Sequence, residues 1–148
     1  MLKSKDIAIA IAAISVTGVK FKDLSSFSDA AYGRDIPVFM PNLENWIGSS
    51  NSTMQTFGTA STRFWIIERT FSYVYLYEKV GAVRTLSDIS SAMADSMDLI
   101  WEALLELDIP EVDITNVTWS KSVTVEDPSG NQFYGFTCDV TVKERVNA

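Results

Sequence analysis

The sequence predicts an α+β domain: a mainly antiparallel sheet with a long C-terminal-half helix and an N-terminal helix packed on one face, plus a long irregular arm. Three observations carry that reading. Residues 63–77, RFWIIERTFSYVYLY, alternate with period two and are rich in aromatic and β-branched side chains. Residues 86–107 place apolar side chains at spacings of three and four. The stretch VTWSKSVTVEDPSGNQFYGFTCDVTVKE alternates on both sides of a turn, as a hairpin does. At 148 residues the chain suits one domain, 1–148, large enough to bury a real core.

Taken in order, the first element is a helix. Ile7, Ile11 and Ile14 fall on one helical face, with Ser4 or Asp6 near the start and Gly18 as the stop. Two lysines before an apolar run resemble a signal peptide, but Asp6 interrupts the basic region. The run is also too short to span a membrane as a helix. Residues 19–62 hold no period for long and are punctuated by Gly33, Pro37, Pro41, Gly48 and Gly58. Their apolar groups, among them Phe21, Phe27, Tyr32, Val38, Phe39, Met40, Leu43, Trp46 and Ile47, are too many to leave in water. They pack either on the domain's own core or on a neighbouring subunit. The tract Ile36-Pro37-Val38-Phe39-Met40-Pro41 is expected to be extended, because residues before proline avoid the α region.

In the aromatic strand Trp65, Ile67, Phe71, Tyr73, Tyr75 and Tyr77 share one face. At about 3.3 Å per residue this is one very long strand, or two joined by a bulge. Gly81 ends it. The Thr85 or Ser87 hydroxyl then caps a helix whose core stripe is Leu86, Ile89, Met93, Met97, Ile100, Leu104 and Leu107. Trp101 and Leu105 widen that apolar face, and Pro110 closes the helix. In the hairpin Val117, Trp119, Lys121, Val123 and Val125 face one way. Across the turn Tyr134, Phe136, Cys138, Val140 and Val142 form the matching face. In Asp127-Pro128-Ser129-Gly130, Pro128 presets φ and Gly130 takes the left-handed position.

Composition excludes several chemistries. There is no histidine, which removes the commonest general base and metal ligand, and every Ser–His–Asp or Cys–His arrangement. No P-loop, dinucleotide loop or zinc spacing is present. The chain therefore reads as a non-enzyme with no catalytic residue, no metal site and no cofactor. Cys138, the single cysteine, reads as a small buried hydrophobe. Asp127 reads as a turn former. Asn51-Ser52-Thr53 and Asn116-Val117-Thr118 match the glycosylation acceptor pattern, which matters only in a secreted protein. The net charge of −7, with no Lys/Arg cluster, argues against neutralising a nucleic-acid backbone. Asp95, Asp98, Glu102 and Glu106 lie off the helix's core stripe, as a solvated acidic face does.

The order of elements resembles a tailed-phage tail terminator or tail-completion protein of the head–tail neck. The resemblance runs through the N-terminal helix, the arm, the strand ending in Tyr75-Leu76-Tyr77, the long helix and the hairpin with FYGFTCDVTVKE. Its motifs are the YLYEKVG segment, the DPSG turn and the terminal strand with Lys143-Glu144. It implies a structural protein of the virion, assembled in the host cytoplasm as a homo-oligomeric, hexameric ring. Such a ring caps the tail tube and meets the head-side connector. Its partners are the tail tube protein and the neck proteins; DNA passes through without specific binding, and no membrane is involved. Phe39, Met40, Trp46 and Ile47 of the arm, with Trp65 of the aromatic strand, are then the candidate subunit-interface residues. Asp95, Asp98, Glu102 and Glu106 are candidates for an acidic surface facing the DNA channel, where like charge prevents sticking. Other neck, connector or minor tail proteins share these features. The reading from a different class is a small, non-viral α+β binding module that uses the aromatic strand as a ligand wall.

Overall fold

The computed structural model describes residues 1–24, 35–56, 58, 62–81, 84–127 and 130–147. The elements, in order, are α1 (Ser4–Ala12), β1 (Lys20–Phe21), β2 (Val38–Pro41), β3 (Ile47–Thr56), β4 (Arg63–Lys79), α2 (Leu86–Leu105), β5 (Val112–Trp119), β6 (Val123–Glu126) and β7 (Gln132–Asn147). The fold is mixed α+β with a mostly antiparallel sheet. No helix among the described residues is long and apolar enough to cross a membrane.

β4 and β7 form the spine. They pair antiparallel from Phe64↔Asn147 to Lys79↔Phe133. On the outer side of β4 lie two strands end to end: β3 against its first half and β2 against its second. On the outer side of β7, β5 and β6 do the same. β1 adds to β2 as the one parallel pair among the described strands. Seventeen residues make β4 about 55 Å long at its usual rise.

Both helices cover one face of the sheet. Ile7 and Ile11 of α1 and Ile100 and Leu104 of α2 pack with Phe71, Tyr73, Tyr75, Cys138, Val140 and Val142. Within this core Phe39 stacks on Tyr73 at 5.0 Å between ring centres, and Trp46 on Phe71 at 4.9 Å. A second, smaller cluster sits on the opposite face, where Val38, Met40, Val74, Leu76 and Phe133 meet Val125. The second half of β4 is therefore buried on both faces. Gly135 of β7 is required there: a Cβ would come within 1.9 Å of the Tyr75 carbonyl oxygen.

α2 follows its sequence signals. The Thr85 Oγ1 accepts the Asp88 N–H at 3.2 Å, a side-chain cap on the first turn. Ile89, Met93, Ile100 and Leu104 are buried. Leu105 and Trp101, expected to widen the apolar face, point outward instead, and Leu86 at the exposed first turn is solvated. Pro128 and Ser129 of the expected turn lie outside the described residues. Gly130 has a left-handed φ of +86°, and Asp127 Oδ1 accepts the Asn131 N–H at 2.9 Å, as a turn-forming Asp does.

Two expectations are corrected. Residues 19–62 are not an irregular arm: their described part contains β1, β2 and β3. Phe27 and Tyr32 lie outside the described residues. The hairpin's first strand does not keep one face. From Trp119↔Cys138 to Val123↔Gly135 it advances four residues while β7 advances three. The extra residue is accommodated at Ser120, whose Oγ takes the Thr137 N–H at 3.0 Å while its own N–H bonds the Thr137 carbonyl at 2.9 Å. A one-residue slip flips every following side chain. Val117 and Trp119 thus join the helix-side core, while Val125 joins the cluster on the far side.

Candidate assembly surfaces

The helices cover only part of the sheet. Beyond Arg69 the sheet continues as a ribbon of β3, residues 63–68 of β4 and residues 143–147 of β7, with the first residues of β5 still paired to Lys143 and Glu144. The junction is a buried ion pair. Arg69 Nη2 meets Glu144 Oε1 at 2.7 Å, and Arg69 Nη1 donates to the Leu2 carbonyl at 2.9 Å. Glu144 Oε2 accepts the Leu2 N–H at 2.8 Å. Both side chains are nearly inaccessible. They pin the start of α1 to the sheet at the point where cover ends.

All ten residues of β3 are exposed, and none is charged. Its pairing places Met54 opposite Trp65, and Trp65 opposite Val146. Cross-strand partners share a face, so these three apolar side chains form one row. Met54 is 38% and Trp65 37% exposed. Arg63, two residues from Trp65, lies on the same face by alternation and is exposed. The ribbon's carboxylates are neutralised: Glu68 by Lys143 at 3.4 Å and Glu144 by Arg69. Arg145 lies over the Phe64 ring at 4.0 Å from its centre. Glu111 and Asp113 line a cavity with Arg145, so Arg63 is the ribbon cation that stands apart from carboxylates on the Trp65 face.

The outer face of α2 is the opposite in sign. From residue 85 to residue 120 there are eight Asp and Glu and no Lys or Arg. Asp95, Asp98, Glu102 and Glu106 are all exposed, together with Leu99, Trp101 and Leu105. Asp98, Trp101 and Leu105 recur at spacings of three and four, so they form one stripe.

The five residues expected at a subunit interface separate into two groups. Phe39, Met40 and Trp46 are core residues, buried by their own chain, so the expectation that they anchor a neighbour is corrected. β2 is an inner strand, and its side chains are consumed on both faces of the sheet. Ile47, 66% exposed, and Trp65 remain available. The sequence reading missed Met54, Val146 and Arg63. Nothing in IGSSNSTMQT announces a strand, and the row exists only once the register is known.

The remaining candidates are internal. Burial raises the Cys138 thiol above its ordinary range, which keeps it protonated and unreactive. Burial likewise pushes the Tyr75 phenol up to about 12, opposed in part by the Ser96 hydroxyl beside it. The Tyr73 phenol is raised for the same reason. Asp35, near the sheet edge, is held below the usual carboxylate value by hydrogen bonds from Lys22 and Lys20. Among the described residues no three Asp, Glu or Cys side chains converge as metal ligands would. Compared with protein-family models and with curated proteins, the chain matches none of them.

Proposed function

We propose that this chain is a non-enzymatic structural subunit of a phage particle, of the tail-terminator kind, forming a ring between the tail tube and the head-side connector. The order of elements supports this through its resemblance to that family. The observation that carries it is the uncovered ribbon with its row of Met54, Trp65 and Val146. Met54 and Trp65, exposed in one row with half-buried Val146 beside them, suit a subunit contact. The cation-free face of α2 fits a wall past which DNA slides, since carboxylates repel phosphate. In this reading Asp95, Glu102 and Glu106 face the channel, and the chain acts in the virion with tail and neck proteins as partners. Other neck or minor tail roles would use the same two surfaces. The ligand-wall alternative is weakened because Tyr73 and Tyr75 are fully buried and offer no surface to a ligand.

Native mass spectrometry tests the proposal. A closed ring of discrete stoichiometry, six copies on the family resemblance, is the expected species. A chain that stays monomeric at every concentration, and does not bind the open end of purified tail tubes, removes the reading.

A further inference from the structure

We infer that the ribbon of one copy docks on the outer face of α2 of the next, with Arg63 and Trp65 meeting Asp98, Trp101 and Leu105. The inference rests on the ring reading and names its contact. The donor surface is apolar with one free cation: Met54, Trp65 and Val146 in a row, and Arg63 beside them. The acceptor surface is apolar with a free carboxylate: Trp101, 39% exposed, and Leu105, 63% exposed, on the stripe that carries Asp98. None of these charged groups has an ion-pair partner within its own described chain. A wall whose only task is to repel DNA has no use for an indole and a leucine in water. Asp95, Glu102 and Glu106 lie beside this stripe on the same outer face, with Asp98 at the border, and stay free for that task.

Charge complementarity selects a second copy as the occupant. The whole chain is acidic, so unguided copies repel, yet the ribbon sets the cation Arg63, which has no ion pair among the described residues, beside uncovered apolar side chains. A ribbon cannot reach the outer face of its own α2, because that face is turned away from the sheet on which the helix packs. The contact therefore joins different patches on successive copies. Such a heterologous contact closes into a ring when the rotation allows it.

Two variants test this. Arg63→Asp with Trp65→Asp disables the ribbon; Trp101→Asp with Leu105→Asp disables the helix face. All four positions are exposed, and far-UV circular dichroism with a thermal melt checks that each variant folds. Each alone is expected to be monomeric, with the assembly midpoint raised roughly 30-fold or more, the loss of a hot-spot contact. Mixed one to one, they are expected to stop at a heterodimer, because only one intact ribbon–helix pair remains. If a variant fails to fold, the pair Arg63→Asp and Asp98→Arg replaces it: each alone breaks assembly, and both in one chain restore it. Wild-type rings alongside variants that also form rings overturn the docking and leave the ring reading standing. Folded monomeric variants that do not pair on mixing also overturn it. A wild-type chain that never assembles overturns both.

Discussion

The two halves of β4 differ more than any two elements of the fold. Residues 73–76 are buried on both faces, between helices on one side and the Val38–Met40–Phe133 cluster on the other. Residues 63–68 carry aromatic and β-branched side chains of the same kind, with no helix over them. The backbone is continuous, and β7 accompanies it throughout. What changes is cover. The first half of this strand is a folded-domain strand missing one layer, which is the condition of an element awaiting a partner.

The largest effect is expected at the boundary between the halves. Arg69→Ala leaves Glu144 buried without its cation and should cost roughly 3–5 kcal/mol, read from urea midpoints. It also releases the Leu2 carbonyl, so α1 should lose amide-exchange protection before the core does. Replacing both partners, Arg69→Met with Glu144→Leu, should recover most of the loss, since a buried ion pair and an apolar pair of similar volume are close in energy. A double variant as unstable as the single one would show that the pair holds the two halves in a way packing alone cannot.

A smaller effect separates the halves by pH. The Tyr75 phenol has a folded-state value pushed up to about 12 from an ordinary value of 10. A raised value means that the neutral form is favoured in the fold. Its contribution is complete below pH 10 and disappears as pH rises toward 12. Alkaline unfolding, followed by phenolate absorbance and circular dichroism together, should begin in this window. Tyr75→Phe should move its midpoint upward. The ribbon contains no tyrosine, so its assembly contact should not share this dependence. An unchanged midpoint in Tyr75→Phe would assign the transition to other buried groups.

How much of this was legible follows the same division. The alternation of residues 63–77 reports β4 directly, because each side chain's face is a local property of the strand. The Thr85 cap and the Ile89–Met93–Ile100–Leu104 stripe are equally local. The pairing of β1 and β2 is not, since a parallel two-residue ladder depends on chain closure and leaves no period. β3 was invisible for another reason: a strand exposed on both faces has no hydrophobic pattern to read. The slip at Ser120 is likewise silent, because a serine that bonds across the ladder with its side chain looks like any other polar residue. The candidate acidic residues of α2 were placed correctly on an exposed face. Three of the five candidate interface residues were misplaced, because apolar character alone cannot say whose core a side chain enters.

The smallest expected effect is at Ile47, next to a residue where the effect is large. Trp46 is buried and stacked on Phe71, while Ile47, the next residue, is 66% exposed at the start of β3. Trp46→Ala should destabilise the isolated chain by about 3–5 kcal/mol, as a buried indole's removal does. Ile47→Ala should stay within about 0.5 kcal/mol, because its side chain has little to lose on truncation at an exposed site. The informative measurement is assembly rather than stability. If the ribbon is covered by a neighbour along its length, Ile47→Ala weakens the oligomer while the monomer's melting curve is unmoved. If only the far end around Trp65 is covered, assembly is unchanged as well. The adjacent pair therefore marks where the domain's own core stops, and how far the neighbour's contact extends back toward it.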